Sequence, residues 1–176
     1  MGTSKLRKMD KRKQLLEIKL AANSQRLARK AYLNKLPDKL KEYLIEKEYI
    51  QTPEKKEITE AFLIRPEGLG EIAYKPKNYR FQEFSWKRDI LFAAKLFSNR
   101  YDNEPAFFSA FMNNPTYCVE FGWVRNNLDE LFDYGDDNLG VVTKDLNAGI
   151  VISNYCGYLS DDPNPNEIVY ELATWG

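Results

Sequence analysis

The sequence contains no histidine and only two cysteines among its 176 residues. The absence of histidine excludes Ser-His-Asp and Cys-His triads and every zinc site that uses a histidine ligand. Two cysteines are also too few for a four-cysteine zinc site. Because Cys118 and Cys156 both lie among strand-forming residues, we expect buried free thiols, which a reducing compartment would maintain.

Long apolar segments are absent as well. No run approaches the roughly 18–20 apolar residues that span a bilayer, and the N-terminus leads into no apolar signal segment. We therefore expect a cytoplasmic protein with no membrane association. The hydrophobic content of 43% and aromatic content of 14% are typical of a folded globular protein. The length predicts a single domain over residues 1–176.

The charges are unevenly distributed along the chain. Residues 1–100 contain 24 Lys and Arg against 13 Asp and Glu, whereas residues 101–176 contain only Arg125 and Lys144 against 13 Asp and Glu. This asymmetry predicts two electrostatically distinct surfaces. The alternative is that the basic half folds against the acidic half and neutralises it.

Residues 1–50 predict a basic helical hairpin. Its first helix is expected to run from Lys11 through Ala31, and Lys5–Leu33 should be mostly exposed. A second helix should begin at Pro37. The first helix carries a narrow apolar stripe of Leu16, Leu20, Leu27 and Ala31. The second should turn Leu40, Tyr43 and Leu44 inward.

Residues 58–176 predict an α+β core, with a mainly antiparallel sheet and helices packed against it. A helix capped by Ser85 should cover Trp86 to Ser98, and its many apolar residues predict a central position. A further helix should cover residues 124–132. The expected strands are Ala61–Arg65, Glu71–Tyr74, Phe107–Met112, Tyr117–Phe121, Leu139–Thr143, Gly149–Tyr155 and Glu167–Thr174.

No sequence motif supports catalysis or cofactor binding. There is no phosphate-binding loop and no dinucleotide fingerprint. The acidic loops Asp133–Asn138 and Asp161–Glu167 lack the ligand spacing of a calcium site. We therefore predict that the protein is not an enzyme and holds neither cofactor nor metal.

The acidic half supplies the predicted partner-binding surface. Helical spacing turns Val124, Leu128, Leu131 and Phe132 inward, which places the carboxylates between them toward solvent. Only Arg125 and Lys144 of this half could neutralise them, unless the N-terminal helices cover the surface. The predicted binding residues are Asp129, Glu130, Asp133, Tyr134, Asp136, Asp137, Tyr158, Asp161 and Asp162.

The last third of the chain suggests a family. The stretch Gly-Ile-Val-Ile-Ser-Asn-Tyr-Cys-Gly-Tyr-Leu at 149–159 leads through an Asp-Asp-Pro-Asn-Pro-Asn loop to the terminal Ala-Thr-Trp-Gly. It resembles the strand-turn-strand ending of immunity proteins encoded beside bacterial polymorphic or contact-dependent toxins. The resemblance implies a cytoplasmic protein that neutralises a toxin by stoichiometric binding, with a basic nuclease domain as the expected partner.

Three alternatives stay open. The basic helices could bind nucleic acid through Lys11, Arg12 and Lys13, because such side chains release counterions from the phosphate backbone. The acidic surface could instead occupy a DNA-binding cleft as a mimic of phosphates. The third alternative is an enzyme of a type that no motif reveals.

Overall fold

The computed structural model describes residues 3–50, 78–110, 115–134, 138–156 and 168–176, with backbone only at 3–10, 155 and 156. Within these residues the chain is an α+β protein, as predicted. The expected strands Ala61–Arg65 and Glu71–Tyr74 lie outside the described residues.

Two helices form the N-terminal hairpin. The first, α1, covers Thr3–Lys35, and the second, α2, covers Asp38–Ile45 after Pro37. At 1.5 Å per residue, α1 is about 50 Å long. Its residues 11–21 are all exposed, and only its last turns, at Tyr32 and Leu33, are buried in the core. The predicted exposure of Lys5–Leu33 therefore holds over most of the side chains described but is wrong for Tyr32 and Leu33.

Within the described residues, seven strands form one antiparallel sheet in the order β1-β4-β3-β5-β6-β7-β2. Strands β5, β6 and β7 form a meander, and β3 pairs with both β4 and β5. The bounds are β1 Tyr49–Ile50, β2 Arg80–Phe84, β3 Pro105–Ser109, β4 Thr116–Glu120, β5 Leu139–Thr143, β6 Gly149–Cys156 and β7 Ile168–Trp175.

Helices cover one face of this sheet. They are α3 at Lys87–Lys95, α4 at Phe121–Asn126 and α5 at Leu128–Asp133, with a 3-10 turn at Asn99–Tyr101. The core between the helices and the sheet also receives Leu40 and Leu44 of α2. A smaller cluster on the other face contains Phe107, Val142, Val151, Ala173 and Trp175.

The expectations for α3 need correction. The N-cap position of this helix is Trp86, not Ser85, and no side chain forms a capping hydrogen bond there. The helix is also not central, because it contacts the sheet at β7 and β2 with one face only. Ile90, Leu91 and Ala94 on that face are buried.

The helix predicted at 124–132 is two helices. Asn127 interrupts it with φ −114° and ψ 20°, which lie outside the helical region. Its side-chain Nδ2 donates to the carbonyl of Trp123 at 2.7 Å. Asparagine side chains compete in this way with the backbone hydrogen bonds of a helix.

Two strands also differ from expectation. β3 covers Pro105–Ser109, so it begins two residues before the predicted start at Phe107, and residues 111 and 112 of the predicted strand lie outside the described residues. β2 was not predicted at all. Its side chains are exposed or half-buried, as expected for a strand at the edge of a sheet. Its sequence therefore shows only weak alternation of apolar and polar residues.

Candidate docking surface

The described part of the predicted acidic surface lies on α5. Asp129, Glu130 and Asp133 are exposed, and Tyr134 follows them with 39% of its surface accessible. Their inward neighbours Val124, Leu128, Leu131 and Phe132 are fully buried, as the helical spacing predicted. The other predicted residues, Asp136, Asp137, Tyr158, Asp161 and Asp162, lie outside the described residues.

Cations from α3 neutralise part of this surface. Lys87 Nζ lies 2.5 Å from Asp133 Oδ1, and Lys95 Nζ donates to Asp129 Oδ2. Lys87 and Lys95 belong to the basic half of the chain, so at Asp129 and Asp133 the basic half neutralises the acidic half, which is the alternative stated for the charge asymmetry. The reason is that α3 lies alongside α5, a tertiary contact that links residues more than 30 positions apart.

The two cations of the acidic half have other contacts. Arg125 forms a two-bond ion pair with Asp102, with Nε–Oδ1 at 2.8 Å and Nη2–Oδ2 at 2.6 Å. Hydrogen bonding to Asp102 raises the pKa of Arg125. Lys144 Nζ lies 5.7 Å from the centre of the Phe107 ring. Neither contact involves an α5 carboxylate, and the lysines of α3 pair with Asp129 and Asp133.

Three large apolar side chains are exposed on and beside α3. Trp86 is 71% accessible, Phe92 65% and Leu96 70%. Next to them, an open groove of about 530 Å³ separates α3 from α5. Its lining residues are Lys87, Arg88, Leu91, Phe92, Lys95, Asp129 and Asp133. We call this region the α3 surface. It comprises Trp86, Arg88, Phe92 and Leu96, together with the two ion pairs between α3 and α5.

Sequence reasoning missed the α3 surface, although a signal was present. Residues 90–97 contain seven apolar side chains in eight positions. Eight consecutive residues are distributed around the whole circumference of a helix, so a helix that packs with one face leaves some of these side chains toward solvent. The high apolar content was interpreted as a sign of central burial, so the exposed side chains of α3 were not predicted.

The second exposed region is α1. Between residues 11 and 35 it contains eight basic side chains and one acidic one, Glu17. Lys11, Arg12 and Lys13 are all exposed. Such a helix provides a strongly positive surface that extends away from the sheet.

Among the residues that the structure describes, no group of three or more Cys, Asp or Glu side chains is placed to hold a metal ion. Burial raises the pKa of the half-buried Cys118 thiol, which lowers its reactivity. None of the described helices combines the length and apolar content required to cross a membrane.

The fold and its surfaces define a small α+β protein with a projecting basic helix and three exposed apolar side chains on and beside α3. The chain belongs to the YokC prophage protein family, whose model matches residues 9–174. It is 26% identical over 172 residues to the "SPbeta prophage-derived uncharacterized protein YokC" of Bacillus subtilis (strain 168), covering 96% of this chain and 99% of that protein. No solved structure matches the chain.

This family membership corrects the resemblance to toxin-immunity proteins, which is wrong. The match to the prophage family extends over almost the whole chain, whereas the resemblance rested on the last third. Short strands joined by glycine- and proline-rich turns occur in many antiparallel sheets, so they do not identify a family.

Proposed function

We propose that this chain acts by binding another protein through the α3 surface, without catalysing a reaction. The observation that carries the proposal is the joint exposure of Trp86, Phe92 and Leu96 around a nine-residue helix. Exposed apolar patches rimmed by polar groups mark interaction sites in soluble proteins. Tryptophan and arginine, here Trp86 and Arg88, are among the residues that contribute most to binding.

The charges around the patch indicate the chemistry of the partner. Lys87 and Lys95 already pair with Asp133 and Asp129, and Arg88 pairs with Asp89. The rim therefore presents both signs of charge in balance. We infer a partner with an apolar surface and a mixed polar rim, for which these ion pairs orient the complex and set its association rate.

Neutralisation of a basic toxin domain is a separate hypothesis. The exposed Glu130 and Tyr134 support it, together with the acidic residues predicted at 136, 137, 161 and 162. Replacement of Asp133, Asp136 and Asp137 by lysine should then slow association with the toxin. An unchanged association rate in a folded variant would reject the acidic surface as the contact.

Photo-crosslinking in cells tests the α3 surface directly. A photoreactive amino acid at Phe92 should give a discrete adduct with one partner protein. The matched control is Ile45, which is 53% exposed at the end of α2. Adducts of equal yield and identity from both positions, or none from Phe92, would contradict the proposal.

The identified partner should then form a stoichiometric complex with the purified chain. Phe92→Ser and Trp86→Ala should each weaken that complex by roughly thirtyfold, as expected for central contacts. Ile45→Ser should leave the affinity within about twofold, as expected for a surface substitution away from the contact.

Nucleic-acid binding by α1 is the second candidate, and the exposure of Lys11, Arg12 and Lys13 favours it. The logarithm of the affinity for a DNA or RNA duplex should then fall linearly with the logarithm of the salt concentration. Reversal of these three residues to glutamate should reduce both the affinity and the slope. Reversal of the exposed Lys39 on α2 is the control, and an equal effect from both variants would argue against α1.

A further inference from the structure

Helix α1 has two opposite faces with different surroundings. One face binds the rest of the fold: Tyr32 and Leu33 are buried, and Arg29 Nη2 donates to the Ile45 carbonyl at 2.8 Å. Leu16, Leu20 and Leu27 lie within about 40° of one another on the helix, and their centre lies about 170° from the bound face. All three leucines are more than half exposed.

The spacing of these leucines is that of a coiled-coil seam. They follow one another at intervals of four and seven, which are the d-to-a and a-to-a intervals of a heptad repeat. The same register extends through the sequence toward the N-terminus. The seam positions from 6 to 27 are Leu6, Met9, Lys13, Leu16, Leu20, Asn23 and Leu27.

The charges beside the seam select the orientation of a partner helix. In a parallel pair of identical helices, position 12 lies beside position 17 of the other copy, so Arg12 meets Glu17 twice. In an antiparallel pair, Arg12, Lys19 and Arg26 would instead lie beside one another across the interface. The parallel arrangement therefore gives attraction where the antiparallel one gives repulsion.

From this spacing and charge complementarity, we propose that the chain forms a parallel dimer through the outward seam of α1. Among the residues that the structure describes, the contacts of α1 with the rest of the fold lie on the opposite side of the helix, so they leave the seam accessible to a second copy. Asn23 and Lys13 are polar residues within the seam, and such residues fix register at a cost in stability. The dimer is consequently weak, with a dissociation constant of roughly 10–100 µM.

Sedimentation equilibrium provides the test. The purified chain should convert from its 20.6 kDa monomer mass to twice that value as concentration rises. Leu20→Ser should weaken the dimer by about tenfold or more, because both copies lose a buried leucine. Asn23→Leu should strengthen it about tenfold by removing a polar seam residue.

The matched control is Ile18→Ser. Ile18 is also exposed on α1 but lies about 170° from the seam, so its replacement should leave the dimer within about twofold. A chain that remains monomeric throughout overturns the inference. Equal weakening by Leu20→Ser and Ile18→Ser also overturns it, as does a dimer that is lost with Phe92→Ser, since self-association would then use the α3 surface.

A charge swap tests the parallel orientation. Glu17→Arg alone should weaken the dimer a few-fold, and adding Arg12→Glu should restore it. Failure of the double variant to recover would exclude the parallel pair. The effect of salt distinguishes dimerisation from nucleic-acid binding. Because the net positive charge of α1 repels a second copy, added salt should strengthen the dimer. Added salt should instead weaken contacts with phosphates.

Discussion

Arg29 joins α1 to the rest of the fold, and its replacement tests how the projecting helix is held. Its guanidinium donates to the Ile45 carbonyl at 2.8 Å and to the Leu44 carbonyl at 3.4 Å. These carbonyls belong to the last turn of α2, where the helix dipole favours a positive charge. The same guanidinium lies 4.3 Å from the centre of the Tyr49 ring in β1.

These contacts set the expected magnitude for Arg29→Ala. A hydrogen bond from a charged donor contributes about 1.5–3 kcal/mol to the free energy of unfolding. The cation–π contact contributes about 0.5–1 kcal/mol. Because the contacts share one side chain and are not additive, we expect Arg29→Ala to lower the free energy of unfolding by about 2–3 kcal/mol. Arg29→Lys keeps the charge but lacks the planar guanidinium, so it should lower the free energy of unfolding by about half as much.

Urea denaturation measures this loss, and Arg26→Ala is the control. Arg26 lies one turn earlier on α1, is exposed and bonds only Asn23 among the contacts described. Its replacement has the same effect on helix propensity and should change the unfolding free energy by less than about 0.5 kcal/mol. Equal losses for the two variants would refute the role assigned to Arg29.

Two further predictions concern packing and pH. At Gly149 an added Cβ would lie 2.2 Å from Cζ2 of Trp175. Gly149→Val should therefore displace the indole, break its hydrogen bond to the Leu146 carbonyl and lower the free energy of unfolding by about 3 kcal/mol. An unchanged melting temperature and near-UV circular dichroism spectrum would contradict this. Burial raises the pKa of both Tyr79 and Tyr117 from 10.0 to about 12. The unfolded chain therefore loses these protons first, and stability should be complete below pH 10 and fall between about pH 10 and 12. Tyr117→Phe should flatten that decline in urea titrations, and an equally steep decline would count against it.

Local patterns predicted much of the fold. Strand β5 begins and ends at the predicted residues, and the start of β6 at Gly149 also agrees. The buried side of α4 and α5 followed from helical spacing alone, because Val124, Leu128, Leu131 and Phe132 repeat at intervals of three and four. These features depend on neighbours within a few positions of the chain.

The features that were missed depend on contacts distant in the sequence. The stripe of Leu16, Leu20 and Leu27 is exposed, as expected for Lys5–Leu33, but the side of α1 that binds the fold, near Tyr32, was not predicted. The ion pairs of Lys87 with Asp133 and Lys95 with Asp129 arise only when α3 packs beside α5. A count of charges in each half of the chain left open whether the basic half neutralises the acidic half. The particular pairs on α5 emerged only from the structure.

The affinity of the partner crosslinked at Phe92 tests the central claim of protein binding through the α3 surface most directly. Titration of that partner with the wild-type chain, Phe92→Ser and Ile45→Ser should give a loss of roughly thirtyfold for Phe92→Ser alone. Equal affinities for all three chains, with the fold intact, would contradict the claim.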